Sequence, residues 1–307
     1  TINRPAATAA PPVRSDVLTS STLIPPIILY GKNTFFFPMK KFQNHILFVI
    51  LHHFIGRRYV RRLTRTGKVF RHAHKIQRHQ HSKMKKVIFL GLGYIGLPTA
   101  AIAAHHGYDV VGVDVNPSVV ETINRGEIHI VEPELDKVVK ESVQNGHLRA
   151  VSKPEAADAF FIVVPTPFKQ NHRADTTYVE SATRSVIPFL KEGDLFVIES
   201  TSPVFTTERM AELIYRQRPE LRDKIFIAYC PERVLPGNTL YELVHNDRVI
   251  GGINPESTEK AIEFYSAFVQ GKLHRTNART AEMCKLTENS SRDSQIAFAN
   301  ELSMICD

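Results

Sequence analysis

Residues Lys86 to Asn116 constrain this chain more than any other stretch. An apolar run, Val87-Ile88-Phe89-Leu90, ends in Gly91-Leu92-Gly93-Tyr94-Ile95-Gly96. A small-residue helix pattern follows from Leu97 to His106, and a second apolar run, Val110-Val111-Gly112-Val113, closes on Asp114. Strand, glycine turn, helix, strand and acid in that order predict a parallel βαβ unit. The first two glycines permit a tight turn and close backbone approach to a pyrophosphate, and the third lets the helix pack against the strand. The helix start supplies free N–H groups and the positive end of a dipole. Asp114 follows Gly91 by 23 residues, where a carboxylate would accept from an adenosine ribose and repel a 2′-phosphate. The unit therefore predicts NAD rather than NADP as cofactor, with Gly91, Gly93, Gly96 and Asp114 among its contacts.

The pattern keeps alternating after Asp114. Helical periodicity covers Pro117–Asn124 and, after the break at Arg125-Gly126, Glu132–Asn145. A buried-strand run, Ala159–Val164, ends in Pro165-Thr166-Pro167. Helix Thr176–Leu190, strand Leu195–Ile198, a helix from about Thr206 to Pro219, strand Ile225–Tyr229, strand Arg248–Ile250 and helix Glu256–Phe268 follow. Such alternation predicts an α/β fold, a Rossmann-like doubly wound and mostly parallel sheet covered on both faces. Ligands bind at the carboxyl ends of the strands in these sheets. Four such ends carry polar or Pro-locked loops: Gly91–Gly96, Pro165–Pro167, Glu199–Pro203 and Cys230–Gly237. They are expected to converge on one crevice.

Arg279 to Asp307 holds no Gly or Pro and reads as one helix of about 43 Å at 1.5 Å per residue. Lys285, Asn289 and Arg292 stand at i, i+4 and i+7, hence on one face. That face suits either an anionic, hydroxyl-rich ligand or plain solvent.

Charge divides the chain. Residues 1–83 hold 15 Lys and Arg against the single acid Asp16, a balance of +14; residues 84–307 hold the other 24 against 30 Asp and Glu, a balance of −6. Residues 1–83 also lack clear periodicity, and the apolar patch Phe42–Ile55 is shorter than the roughly 20 residues a membrane span needs. The expectation is a disordered or non-native basic leader, with Met84 at a natural start. An organellar transit peptide and a nucleic-acid-binding arm are weighed beside it; neither a nucleic-acid nor a membrane partner is expected. Three scattered cysteines, Cys230, Cys284 and Cys306, exclude a disulfide framework or a zinc site and suit a reducing, cytoplasmic setting.

With these elements placed, the sequence resembles the UDP-glucose/GDP-mannose dehydrogenase family from Met84 onward. The likeness is carried by Gly91–Ala100, Thr122–Pro133, Val164–Phe168, Glu199–Pro203, Tyr229–Gly237, Asn246–Gly252 and Thr280–Asn289. A lone glycine motif is weak evidence; seven segments in order are specific. Ile128–Glu132 and Cys230–Val234 favour the mannosamine branch over the glucose branch. The resemblance implies oxidation of the C6 hydroxyl of a UDP-sugar to a carboxylate by NAD, for surface polysaccharide. It implies NAD contacts at Tyr94, Ile95, Thr166 and Thr207, beside the glycines and Asp114. Substrate contacts are implied at Arg233, Val234 and Arg292. Lys285 is the implied proton donor or acceptor beside the C6 oxygen, Asn289 its partner in holding that oxygen and a water, and Glu232 an acid assisting water attack.

The family's nucleophilic cysteine lies in a glycine-rich Gly-Gly-His-Cys stretch, which this sequence does not contain. The expected organisation is thus a leader over 1–83, a Rossmann-like NAD domain over 84–277, and over 278–307 the start of a central helix that pairs in a homodimer. The UDP-binding domain is expected to be absent, and the chain is expected to bind NAD without completing the four-electron oxidation. A non-catalytic NAD-binding or dimerising module, or a dehydrogenase for UDP-glucose or GDP-mannose, are the alternatives. Phe205 departs from the family by replacing a glycine, and Ser291 by replacing an aromatic.

Overall fold

The computed structural model describes residues 84–306; the leader expectation falls outside them. One eight-stranded sheet organises the described residues. β1 (Lys86–Leu90), α1 (Gly96–His105), β2 (Asp109–Val113), α2 (Pro117–Asn124), α3 (Leu135–Gln144) and β3 (Leu148–Val151) form the first half. β4 (Ala159–Ile162), α4 (Thr177–Val186), β5 (Leu195–Ile198), α5 (Thr206–Gln217) and β6 (Phe226–Tyr229) form the second. α6 (Thr239–His245), β7 (Arg248–Gly252), α7 (Pro255–Tyr265), β8 (Leu273–Asn277) and α8 (Ala278–Cys306) complete it. Strand order is β3-β2-β1-β4-β5-β6-β7-β8. The first six are parallel, and β7 runs antiparallel to β6 but parallel to β8. The chain winds outward from β1, then returns to start again at β4. The crevice at that reversal is where a doubly wound sheet takes its ligand.

Alternate residues of each strand feed opposite layers. Val87 and Phe89 of β1 join Phe161, Ala100 and Phe264 on one face; Ile88 and Leu90 join Phe160, Phe196 and Ile214 on the other. The Phe89 and Phe161 rings stack at 4.6 Å, and Phe264 of α7 lies 4.3 Å from Phe161. Central strands are apolar throughout because helices cover both faces. α1 is buried from Gly96 to Ala104, which explains its small residues: no face meets water.

Several boundaries and elements differ from expectation. The Glu132–Asn145 helix begins only at Leu135, because Glu134 takes a left-handed φ of 63° and Glu132 is engaged elsewhere. Helix Thr176–Leu190 gives way after Val186 to a 3₁₀ turn holding Pro188, since proline supplies no N–H. β3, α6 and β8 escape the sequence reading. β3 has four residues, and β8 is an edge strand with three exposed positions, so neither shows a strong apolar period.

Candidate active-site crevice

The four predicted loops follow β1, β4, β5 and β6, neighbouring parallel strands, so their carboxyl ends line one edge. Gly91 sits at φ 95°, and a Cβ there would fall 2.5 Å from the Val163 carbonyl oxygen; at Gly96 it would fall 1.8 Å from the carbonyl oxygen of Gly91. Both glycines are required by the protein's own backbone. Gly93 is different: a Cβ there would meet nothing within 4 Å. Its exposed backbone needs no glycine for packing, so close approach of a ligand is the remaining reason. Tyr94 is exposed beside it, Ile95 half-buried. Asp114 ends β2 and accepts from the N–H of Leu92 at 3.0 Å and of Asn116 at 2.9 Å. Each carboxylate oxygen retains a lone pair for a ribose hydroxyl. These residues fit the adenosine and pyrophosphate of NAD.

The β4 and β5 loops are sewn together. Ser200 Oγ donates to the Val164 carbonyl at 2.7 Å, fixing the Pro165-Thr166-Pro167 turn, where Thr166 is half-buried. α5 then starts at a strained point: Phe205 has φ 76°, a region costly for any residue but glycine. This explains why a glycine suits the position. Glu282 of α8 holds the strain in place. Its Oε2 accepts from Phe205 N at 2.7 Å, and its Oε1 from Thr207 N at 2.8 Å and Thr207 Oγ at 2.7 Å. Burial pushes the Glu282 carboxyl above its ordinary value despite these donors. The Phe205 ring is turned toward the guanidinium of Arg279, 4.7 Å from its centre. Thr207 is fully buried and its hydroxyl is committed to Glu282, so in this structure it fixes the start of α5.

The β6 loop meets α8. Glu232 is buried; Oε1 accepts from the N–H of Arg233 at 2.6 Å, and Oε2 lies 2.8 Å from Arg248 Nη2 in an ionic contact that is poorly aligned as a hydrogen bond. Lys285 donates from Nζ to the Glu232 carbonyl at 2.5 Å. Burial lowers the Lys285 pKa, opposed by Glu288 and Glu232 and assisted by Arg292 and Arg233. Arg233 is paired with Glu288, and the half-buried Val234 follows it. Asn289 lies one turn beyond Lys285 and accepts from Arg292 Nη2 at 3.3 Å, with Arg292 exposed. Lys285 and Glu232 thus meet, although 53 residues apart.

Behind this edge lies a polar group that the sequence reading missed. Glu199 is buried, accepts from the Tyr265 hydroxyl at 2.5 Å, and leaves Oε2 without a partner among the described residues. Burial drives its carboxyl up to about 7, Arg248 opposing and Glu232 assisting. Arg248, also buried, lies 5.0 Å over the Tyr265 ring. Cys230 is buried in the same group, its thiol pushed up to about 12 by burial, so it is inert as a nucleophile. Glu132 accepts from Gly237 N at 2.9 Å and Thr239 N at 2.8 Å, capping α6 from across the crevice. Burial resists its ionisation, but those donors outweigh burial and hold its pKa below the ordinary value. A carboxylate that caps another segment, as Glu132 and Glu282 do, or that takes a distant hydroxyl, as Glu199 does, leaves no periodic trace in sequence, which is why their roles went unread. No cluster suited to a metal occurs among the described residues.

Strand order, glycine turn and the acid after β2 define a Rossmann-type NAD-binding protein. Residues 85–269 match the NAD-binding domain of the UDP-glucose/GDP-mannose dehydrogenase family, and residues 279–307 match its central domain. The chain belongs to that family. It is 60% identical over 226 residues to the UDP-N-acetyl-D-mannosamine dehydrogenase of Yersinia pestis, covering 71% of this chain and 54% of that protein. It is 54% identical over 231 residues to the NDP-N-acetyl-D-galactosaminuronic acid dehydrogenase of Ralstonia nicotianae, covering 73% and 55%. The solved UDP-N-acetyl-mannosamine dehydrogenase of Staphylococcus aureus superposes with a TM-score of 0.69 at 44% identity, covering 72% of this chain and 55% of that one. The chain spans about half the length of the curated relatives it matches.

Proposed function

We propose that this chain carries the cofactor-binding part of an NAD-dependent nucleotide-sugar 6-dehydrogenase whose substrate is UDP-N-acetyl-D-mannosamine. The observation that carries the reading is the seating of Lys285 Nζ on the main-chain carbonyl of Glu232, at the strand edge that also presents the Gly91–Gly96 turn. Bound NAD supplies the hydride acceptor. Gly93, Tyr94, Ile95, Asp114 and Thr166 bind and orient it, and Thr207 acts indirectly by fixing α5. Lys285, whose ammonium is partly desolvated, holds or exchanges the proton of the C6 oxygen and offsets negative charge there. Asn289 supplies an amide to the same oxygen. Glu232 orients water in the later hydrolytic step. Arg233, Val234 and Arg292 contact the sugar nucleotide. The choice of sugar rests on the relatives named above.

A homodimer through α8 is part of the proposal. Phe298, Leu302 and Ile305 are exposed on its last turns at i, i+4 and i+7, one apolar face that pairing would cover. Among the described residues no helix is long and apolar enough to cross a membrane.

The test is titration of the purified chain with NAD by calorimetry, then mixing with UDP-N-acetyl-D-mannosamine, UDP-glucose or GDP-mannose while nicotinamide reduction is followed. Saturable NAD binding, with fastest reduction on the mannosamine sugar and loss of it in Lys285→Ala, is expected. A folded chain that ignores NAD, or reduction that survives Lys285→Ala unchanged, refutes the reading.

A further inference from the structure

Arg233 is expected to touch substrate, yet each nitrogen of its guanidinium already has a protein partner. Nε donates to Glu288 Oε2 at 2.8 Å, Nη2 to Glu288 Oε1 at 2.9 Å, and Nη1 to the Asp247 carbonyl at 3.3 Å. Both side chains of the pair retain only 25% exposure. The preceding residue, Glu232, gives its carbonyl to Lys285 Nζ at 2.5 Å. Consecutive loop residues are therefore gripped by α8 residues three apart, which share one face of the helix. The two grips are unequal. A guanidinium–carboxylate fork fixes direction as well as distance. An ammonium on a four-carbon stem follows whatever carbonyl is offered to it.

We propose that Glu288 is a positioning residue: through its two-pronged hold on Arg233 it sets the register of the Cys230–Gly237 loop against α8 and so seats Lys285 beside Glu232. The inference rests on the reading of Lys285 and Glu232 as reacting groups. On this account Arg233 meets the sugar nucleotide from the wall of the crevice, held there with its charge already paired to Glu288.

The proposal can be separated from a purely electrostatic role by sign. The charged groups facing Lys285 are Glu232 and Arg233 from the loop, and Glu288 and Arg292 from α8 itself; burial is the largest influence on it and lowers its pKa. If Glu288 is only a neighbouring charge, Glu288→Ala removes an anion and exposes Lys285 to Arg233, so Lys285 titrates lower. If Glu288 seats the loop, the same change releases the loop, water reaches Lys285, and it titrates higher. Removing both partners in Glu288→Ala/Arg233→Met deletes no net charge, but Glu288 acts on Lys285 more strongly than Arg233 does; electrostatics alone therefore predicts a smaller fall, and seating predicts the same rise.

The experiment is ¹³C-dimethylation of the lysines of the full chain and NMR titration, with Lys285 assigned by its loss in Lys285→Arg. The expected result is a rise of at least about 0.5 pH unit in both the single and the double variant. A fall or no change in either variant overturns the proposal. Thermal unfolding by circular dichroism establishes that each variant is folded, and Glu288→Gln, which keeps the side-chain volume, carries the same expectation should the alanine variant not fold. No turnover enters the readout. A chain inactive toward every nucleotide sugar leaves this result standing, and failure of the seating leaves the dehydrogenase reading to its own assay.

Discussion

Glu199→Gln is expected to make the protein more stable at pH 8 while changing it little at pH 5. The residue is buried, with one oxygen taking the Tyr265 hydroxyl and the other unpartnered. Burial raises its carboxyl from 4.5 to about 7. A group whose folded pKa lies above its unfolded value binds protons more tightly when folded. Its contribution is fully present below about 4.5 and is lost as pH rises through about 7. At about 1.36 kcal/mol per pH unit the whole displacement is worth about 3 kcal/mol, of which about 2–3 kcal/mol falls between pH 5 and pH 8. Glutamine mimics the neutral acid: its carbonyl can accept from Tyr265, and it never ionises. Urea unfolding of both proteins at half-unit steps from pH 5 to pH 8 measures the difference. The variant's advantage should grow by about 2–3 kcal/mol across that range, most steeply below pH 7. A difference constant to within about 0.5 kcal/mol refutes the argument, because it means that Glu199 carries the same charge in the folded and unfolded chain.

Two glycines of one turn should respond in opposite ways. Gly93→Ala, whose new methyl meets no protein atom, should leave stability within about 0.5 kcal/mol but weaken NAD at least about tenfold, about 1.4 kcal/mol; calorimetry reads both. Gly96→Ala, placing a methyl 1.8 Å from a carbonyl oxygen, should destabilise the fold by more than about 2 kcal/mol in urea. Glu282→Ala orphans two backbone N–H groups and a buried hydroxyl at the start of α5, for an expected loss of about 3–5 kcal/mol. Hydrogen exchange should show the added opening at residues 203–210 first.

Much of the architecture was legible because the signals are local. The glycine turn between two apolar runs, the acid after β2, and the Pro-locked strand ends each act through neighbours within a few residues, and together they specify a doubly wound sheet with an NAD crevice. The i, i+4, i+7 spacing of Lys285, Asn289 and Arg292 was equally local, though for such spacing a solvated stripe is the commoner reading. What it could not supply was the partner. Lys285 meets Glu232 across 53 residues, Glu288 grips Arg233 across 55, and Glu282 caps α5 across 75 or more.

Sequence alone determined the class of fold and pointed to the glycine turn as the cofactor's seat, since both readings follow from hydrophobic period and backbone space. Only the tertiary structure decided that β7 turns antiparallel, that Thr207 serves α5, that Glu132 and Glu282 cap α6 and α5, and that Glu199 is buried against the Tyr265 hydroxyl. A buried carboxylate is placed by donors brought from elsewhere in the chain, and those donors exist as a set only once the chain has folded.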